Sequence, residues 1–328
     1  MTQADSVETY SGACPADELG RTLMHEHIFV RNPELELSLD FPEWHQDKLI
    51  NLAVDGLAGL LAQGIKTVVD LTVPGLGRDP GPVSEVARRA QVNLIASTGW
   101  YGAAVLPPFL QLHGPDRLVS EPEPLTEMFV RDIEIGIGRT RVKAAMLKVT
   151  TSDGGITPDE ERVLTAAAAA AQHTGVPITT HSNPVARTGL EQQQFFRSRG
   201  IALDRLVIGH SGDTDDVDYL RALMDEGSTI GLDRFGMEHV LSDGRRIETL
   251  LSLLRLGYAD RIVLSQDAAF YSHVTPPSWR ARSAPNWRMD HLSTSVLPRL
   301  REAGVSQEVL DQMLEANPRR LLSRRSVQ

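Results

Sequence analysis

The sequence alternates short apolar runs with longer amphipathic stretches, and this pattern repeats eight times along the chain. A short apolar run is typical of a buried strand, whereas apolar residues spaced three and four apart are typical of a helix. When the two alternate, the strands pair in parallel and the helices form the crossovers between them. The predicted strands are residues 22–30, 67–72, 92–98, 144–150, 177–182, 206–211, 229–234 and 261–267, and the predicted helices lie near residues 47–63, 82–90, 124–138, 158–174, 188–199, 214–226, 243–257 and 290–303.

The predicted fold class is therefore α/β, a (β/α)8 TIM barrel that residues 1–328 form as a single domain. A chain of this length could also form two small domains, but barrels of similar length commonly fold as one. The competing interpretation is an open, doubly wound parallel sheet. It is disfavoured because no glycine-rich phosphate-binding loop follows the first predicted strand.

The overall charge argues against two classes of partner. The formal net charge is -10 and the sequence pI is about 5.5. Nucleic acids and anionic membrane surfaces attract proteins through clustered positive charge. We therefore expect neither a nucleic acid nor a membrane as a partner.

Cysteine usage and the N-terminal residues predict the compartment. Cys14 is the single cysteine, so the chain cannot form an intrachain disulfide, which favours a reducing environment. Residues 1–20 lack the basic and apolar segments of a signal peptide, and no apolar run is long enough to span a bilayer. We expect a cytoplasmic protein.

Histidines and one aspartate follow several of the predicted strands. His25 and His27 are two apart in the first strand, so both side chains point to the same face while Glu26 points away. Alone, this pair is more typical of two hydrogen-bonded core histidines than of metal ligands. The fifth and sixth strands end at His181 and His210, however, and the eighth ends at an aspartate, Asp267. The C-terminal ends of barrel strands carry the catalytic groups of barrel enzymes.

Four imidazoles and a carboxylate at one barrel end suit zinc first, and cobalt, iron or manganese as alternatives. Five ligands exceed the number that one catalytic tetrahedral ion uses while keeping an open position, so two ions are predicted. The remaining histidines fall in predicted helices or loops, where surface or capping roles are expected. They are His45, His113, His173, His239, His273 and His291.

Lys148 lies within the fourth predicted strand of a chain that has only four lysines. Alternation places it on the same face as Met146, inside the barrel. Burial disfavours the charged form of lysine, and a neutral amine can add carbon dioxide to give a carbamate that bridges two metal ions. The alternative is a lysine that pairs with an acidic neighbour or reaches out to the barrel mouth.

The sequence resembles the phosphotriesterase family of the amidohydrolase superfamily, and most closely its phosphotriesterase-like lactonases. The resemblance covers nearly the whole chain. It rests on Gly-Arg-Thr-Leu-Met-His-Glu-His at 20–27, Leu-Lys at 147–148 before Thr-Pro at 157–158, Thr-His at 180–181, Ile-Gly-His-Ser-Gly-Asp-Thr at 208–214, Gly-Leu-Asp-Arg-Phe-Gly at 231–236 and Ser-Gln-Asp at 265–267.

This resemblance implies a binuclear centre at the C-terminal face of the barrel. The matching lysine of the family is carboxylated, so Lys148 and a hydroxide are expected to bridge two divalent ions. The implied ligands are His25, His27 and Asp267 for the more buried ion, and His181 and His210 for the more exposed ion.

The resemblance also implies a substrate pocket. Tyr101 matches the tyrosine that lactonases place beside the metals, and Arg234 matches an arginine on the leaving-group side. Phe270, Trp279 and Trp287 are expected to line the acyl side of the pocket from the loop after the eighth strand. The alternatives are a buried aromatic for Tyr101, a loop-anchoring role for Arg234 and loop packing for the three aromatics.

The predicted function is metal-dependent opening of lactone rings, in particular N-acyl homoserine lactones, with weak phosphotriesterase activity. Tyr101, Lys148 and Asp267 are the predicted catalytic residues, and Asp267 is expected to transfer the proton. One alternative is a dedicated phosphotriesterase, which would use the same ions. Another is a non-catalytic binding protein, which is disfavoured because no ligand is missing. The family also implies a homodimer.

Overall fold

In the computed structural model, which describes residues 5–102 and 104–324, the largest sheet has nine strands and all its pairings are parallel. The first eight strands lie side by side in chain order, and the ninth pairs with the first. The strands are β1 (Arg21–Val30), β2 (Ile65–Asp70), β3 (Asn93–Gly99), β4 (Ala144–Thr150), β5 (Ile178–His181), β6 (Leu206–Gly209), β7 (Thr229–Leu232), β8 (Ile262–Leu264) and β9 (Ala269–Ser272).

The residues after β8 close the sheet against β1. The backbone N–H of Asp267 donates to the carbonyl of His25 at 3.0 Å, and the N–H of His27 donates to the carbonyl of Ala268 at 2.8 Å. The buried carboxylate of Glu26 accepts the N–H groups of Gln266 and Ala268, both at 2.8 Å. The first strand therefore meets the end of the eighth, and the predicted barrel is confirmed.

Helices follow each of the first seven strands, as the alternation predicts, whereas β8 is followed by β9 before the next helix begins. The α-helices are α1 (Gln46–Ala62), α2 (Pro80–Arg89), α3 (Pro108–Leu112), α4 (Pro124–Glu134), α5 (Pro158–Thr174), α6 (Thr188–Ser198), α7 (Val217–Asp225), α8 (Asp243–Arg255), α9 (Pro277–Ser283), α10 (Leu297–Glu302), α11 (Gln307–Asp311) and α12 (Asn317–Leu322). Short 3-10 segments occur at Ala16–Glu18, Leu35–Leu37, Leu203–Arg205, Ser211–Asp213 and Tyr258–Arg261, and π-helical segments at Leu292–Val296 and Gln312–Ala316.

Local sequence explains both ends of α5, one of the two longest helices. The side chain of Thr157 accepts the N–H of Glu160, whose carboxylate in turn accepts the N–H of Thr157. This reciprocal capping box satisfies two backbone donors at the start of α5. The helix ends at Gly175, whose φ of 73° suits glycine better than residues with a side chain.

Apolar side chains fill the end of the barrel at which the strands begin, its N-terminal end. An N-terminal hairpin of Ser6–Thr9 and Gly12–Pro15 brings Val7 into an inner core. This core also contains Leu19 from the turn before β1, Met146 from β4 and Leu321 from α12. Apolar packing thus closes the N-terminal end of the barrel interior, and the polar strand-end residues lie at the other end.

No helix among residues 5–102 and 104–324 combines the length and apolar character that crossing a membrane requires.

Candidate metal centre

The six predicted ligands all line one cavity of about 350 Å³ at the C-terminal end of the strands, the metal-site cavity. Five different segments of the barrel carry them. They are His25 and His27 in β1, Lys148 in β4, His181 at the end of β5, His210 just after β6 and Asp267 just after β8.

Three of these side chains form a group that could hold one ion. Asp267 Oδ1 lies 3.1 Å from His27 Nε2 and 3.5 Å from His25 Nε2. The ligand atoms of this trio all lie within 4.8 Å of one another. Lys148 Nζ lies 3.3 Å from His25 Nε2, so a group attached to this nitrogen would stand among the ligands.

The other two histidines form a neighbouring pair. His210 Nε2 and His181 Nδ1 are 2.9 Å apart, and the two rings meet edge to face. His181 is the more exposed of the two. The pair could hold a second ion on the outer side of Lys148.

Asp233, which lies just after β7, connects the two groups and was not predicted as a site residue. Its Oδ2 lies 2.8 Å from His25 Nδ1, and its Oδ1 lies 3.0 Å from His210 Nδ1. A carboxylate that accepts from Nδ1 fixes the tautomer and leaves Nε2 free to bind a metal. His25, His210 and Asp233 also form a second cluster compact enough to hold a metal. The signal available in the sequence was its position directly after a strand, the same position that identified Asp267.

Burial favours the neutral forms of the nitrogen ligands. It lowers the pKa of His181 to about 3 and that of His210 well below its usual value, and the nearby charge of Arg234 acts in the same direction. Burial also lowers the pKa of Lys148 to about 8. Neutral imidazoles are the form that binds a divalent metal.

Asp267 keeps its negative charge in this environment. Burial opposes ionisation, but interactions with His25, His27 and Arg234 outweigh it and hold the pKa of Asp267 well below its usual value. Arg234 Nε donates to Asp267 Oδ2 at 3.0 Å, and its Nη1 donates to Asp213 at 2.8 Å. Arg234 therefore lines the cavity, and it also links Asp267 to Asp213 in the cavity wall.

The backbone turns sharply at two of the ligands. His210 has a φ of 58° and Asp267 a φ of 52°, both in the left-handed region. Such conformations cost about 1–3 kcal/mol for a residue with a side chain, and they occur often at functional sites. At both positions the turn directs the side chain back over the barrel mouth.

Three of the predicted aromatic residues lie around the metal-site cavity. Tyr101 packs its ring edge-on to His181, with 5.6 Å between the ring centres. Trp279 and Trp287 line the same cavity, and the indole N–H of Trp287 donates to the carbonyl of Asp267 at 2.8 Å.

Phe270, by contrast, lies outside the residues that line this cavity. Side chains alternate along β9, so Ala269 faces the ligands and Phe270 faces away, towards Gly56 of α1. Of the histidines expected at the surface, His239 is exposed and borders the cavity, whereas His291 is buried and lies 2.6 Å from Asp243.

The donor set fits divalent ions. It consists of four imidazoles, a carboxylate that stays ionised and a buried lysine, and protein groups hold both Nδ1 atoms of the first-strand histidines at 2.8 and 2.9 Å. Asp233 holds His25, and Thr72 holds His27. Ligands oriented in this way by hydrogen bonds are typical of metal sites.

Comparison with known proteins agrees with this geometry. Residues 5–322 match the model of the phosphotriesterase family. The chain belongs to the phosphotriesterase family. It is 41% identical over 320 residues to a phosphotriesterase homology protein of Mycobacterium tuberculosis, with 97% of this chain and 98% of the relative covered. It is 36% identical over 322 residues to an aryldialkylphosphatase of Saccharolobus solfataricus, with 97% and 98% covered.

A solved structure gives the same result. The structure of the phosphotriesterase from Mycobacterium tuberculosis superposes with a TM-score of 0.93 at 40% identity, covering 97% of this chain and 98% of that one. Proteins of the phosphotriesterase family use a binuclear divalent metal centre, and this chain is a metal-dependent hydrolase. The predicted enzyme class is confirmed.

Proposed function

We propose that this phosphotriesterase-family enzyme opens lactone rings, in particular those of N-acyl homoserine lactones, and hydrolyses phosphotriesters only weakly. The observation that carries the proposal is the division of the metal-site cavity into a polar floor and apolar walls. The ligands form the floor, and the walls include Val30, Leu76, Met237, Val240 and Trp287. A lactone with an acyl tail presents the matching polar ring and apolar chain.

The proposal assigns two divalent ions to the site, with zinc as the preferred metal and cobalt, iron or manganese as alternatives. His25, His27 and Asp267 would hold the inner ion. His181 and His210 would hold the outer one, and carboxylated Lys148 would bridge the two. When bound, these ions would polarise the substrate carbonyl and make water a stronger nucleophile.

Tyr101 would orient the lactone. Burial raises the pKa of its phenol, and the nearby carboxylate of Asp267 adds to this effect, so the hydroxyl stays protonated and can donate. A donor beside His181 would hold the carbonyl oxygen as negative charge develops on it, which favours the transition state over the ground state.

Asp267 would move the proton. Its carboxylate is ionised and can accept a proton from the attacking water at Oδ1 or Oδ2, then return it to the ring oxygen as the ester bond breaks. Arg234, which donates to Oδ2 at 3.0 Å, would hold the carboxylate in place for both transfers.

A dedicated phosphotriesterase is the second candidate, and one finding favours it. The relative from Saccharolobus solfataricus, 36% identical to this chain, bears the name aryldialkylphosphatase. Attack on phosphorus could use the same ligands and the same aspartate, so the metal-site residues cannot distinguish the two substrates.

A substrate panel distinguishes the two candidates. The kcat/KM should be measured for acyl homoserine lactones of increasing chain length and for an aryl dialkyl phosphate, in one buffer with one metal. Each buried methylene adds up to ~0.8 kcal/mol of binding, so lactone kcat/KM should rise with chain length until the apolar wall is covered. A better phosphotriester substrate, or no effect of chain length, would replace the lactonase proposal with the alternative.

The Tyr101→Phe variant adds an internal control. We expect it to lower kcat for lactones more than kcat for the phosphotriester, because only the lactone carbonyl is proposed to use the hydroxyl. Equal losses for both substrates would remove Tyr101 from the proposed mechanism.

We also propose that the enzyme is a cytoplasmic homodimer. Exposed apolar side chains on the segment after β1 support a protein interface, since Leu37 is 87% exposed and Leu35 and Leu39 lie beside it. The exposed Val274 lies next to this surface. It follows His273 in the sequence, and the N–H of Asn32, in the segment after β1, donates to the ring of His273 at 2.9 Å. Light scattering should give twice the chain mass for the wild type, and a monomer after Leu37→Glu.

A further inference from the structure

A second cavity, the outer cavity, lies beside the metal-site cavity, between α1 and the segment that follows β9. Its volume is about 390 Å³, which falls within the ~300–1,000 Å³ range of small-molecule pockets. The lining is mostly apolar. It includes Leu52, Phe270, Pro277, Ala284, Trp287 and Met289.

One buried cation, Arg280 of α9, also lines the outer cavity. Arg280 is only 7% exposed, and its Nη1 donates to the carbonyl of Ala269. Its Nε is buried and has no hydrogen-bond partner. Across residues 5–102 and 104–324, none of the ion pairs includes Arg280. Glu43, the acidic group whose charge acts on it, accepts hydrogen bonds from Ser278 instead.

A buried charge without a counter-charge is unfavourable, and buried arginines normally pair with an anion. The cavity beside Arg280 has room for such an anion, and the guanidinium can bind a carboxylate through two parallel N–H donors. The remaining walls are mostly apolar, and the two other charged residues that line them, the exposed Arg288 and the partly exposed Asp290, pair with each other. The ligand that satisfies both features has one carboxylate and an apolar chain.

We propose that the outer cavity is a binding site for small carboxylates with an apolar chain. The carboxylate pairs with Arg280, and the chain lies against Phe270 and Met289. This site is separate from the metal ligands and does not depend on which substrate the enzyme hydrolyses.

Trp287 connects the two cavities. It lines both of them, and the centre of its ring is 5.8 Å from the guanidinium carbon of Arg280. Its indole N–H donates to the carbonyl of Asp267 at 2.8 Å. A ligand in the outer cavity therefore touches a residue that supports a metal ligand.

The test is a calorimetric titration of the metal-loaded enzyme with sodium octanoate. We expect saturable binding to the wild type and at least tenfold weaker binding to Arg280→Gln, the scale expected when a charge-assisted hydrogen bond is lost. Arg282→Gln is the matched control, because Arg282 lies on the same helix but is exposed, and it should bind like the wild type. Octan-1-ol, which has the chain without the charge, should bind more weakly than octanoate.

Octanoate can also bind the metal ions, so a second variant distinguishes binding in the outer cavity from binding at the metal centre. Gly59 lines the outer cavity, and a Cβ added there would meet nothing within 4 Å. Gly59→Leu should therefore fill the cavity from α1 without strain and abolish octanoate binding, with the metal centre intact. If Arg280→Gln and Gly59→Leu both bind octanoate like the wild type, or if the wild type shows no saturable binding, the proposal is wrong.

Discussion

Lys148 combines two properties that favour a metal-bridging carbamate, which are burial and an amine that loses its proton more readily than usual. It is only 1% exposed, and burial lowers its pKa to about 8. Its Nζ lies 3.3 Å from His25 Nε2 and 3.5 Å from the carbonyl of Thr180, so the amine has no carboxylate as a close partner. This placement favours a carbamate over the alternative of a lysine paired with an acidic neighbour.

Replacing Lys148 with alanine should therefore remove the bridge, with the fold retained. We expect kcat/KM to fall by more than ~100-fold and metal content to drop, a larger effect than the ~10–100-fold typical of residues that only support ligands. Lys143→Ala is the matched control, since Lys143 precedes the same strand and pairs with Glu8 at 3.5 Å outside the site. A short carboxylic acid added with metal should restore part of the activity. A fully active Lys148→Ala enzyme with two metals bound would contradict the assignment.

Asp233 should control metal affinity without touching the substrate. Its two oxygens hold His25 and His210 at 2.8 and 3.0 Å, so Asp233→Asn would leave at least one imidazole with the wrong partner. We expect metal affinity to fall by roughly 10–100-fold. Competition with a chelator measures this, and Asp218→Asn is the control because its side chain is 91% exposed. Unchanged metal affinity would mean that Asp233 does not orient the ligands.

The sequence predicted which side chains meet at the barrel mouth better than it predicted the residues that support them. His181 and His210 stood out because each ended an apolar strand. Asp233 had a similar position, but its role depends on contacts with two other strands, which sequence spacing does not reveal. Phe270 was assigned to the substrate pocket because the loop after β8 was treated as irregular, whereas it contains a strand whose alternation turns this ring away.

The strands and helices of the barrel could be predicted because each has its own hydrophobic period. The fourth strand and the fifth helix match the predicted bounds of 144–150 and 158–174. The N-terminal hairpin and β9 were missed, since no helix separates these strands from the neighbouring strand and they fall outside the strand–helix alternation. The sequence also did not predict the register in which the strands pair. Pairing of β1 with β2 shifts between Leu23 and Glu26, so that Leu23 joins the helix-facing core although it is two residues from His25.

The side chain of Glu26 adds to the backbone hydrogen bonds that close the barrel between β1 and the residues after β8. Its carboxylate accepts two backbone N–H groups that have no carbonyl partner in the strand ladder. In Glu26→Gln an amide NH2 would face one of these donors, and a buried unsatisfied donor costs about 1–3 kcal/mol. We expect the free energy of unfolding to fall by about that amount in urea titrations. Glu248→Gln on the exposed face of α8 is the control and should leave stability unchanged. A stable Glu26→Gln protein would show that the ladder closes the barrel without the carboxylate.

At the scale of the whole molecule, the metal site joins segments that are distant in sequence. Its candidate ligands come from β1, β4, β5 and the residues just after β6 and β8, which together span the circumference of the barrel. The N-terminal end is held by an apolar core, but the C-terminal end has buried imidazoles and a buried carboxylate in place of one. Bound ions would therefore stabilise the end of the barrel that lacks an apolar core.

Removal of the metals should lower the thermal stability of the entire barrel. A ligand that binds only the folded state stabilises it by about 4 kcal/mol when its free concentration is ~1,000 times its Kd. For a chain of this size, that corresponds to a fall in Tm of roughly 5–10 °C on chelation. Calorimetry before and after treatment with a chelator, followed by addition of zinc, measures the effect and its reversal. Lys148→Ala is the informative comparison, because without the bridge the chelator should change Tm much less. If the wild type has the same Tm with and without metal, the ions do not contribute to the stability of the fold, and hydrogen bonds such as those from Asp233, Thr72 and Arg234 hold the candidate ligands in place without them.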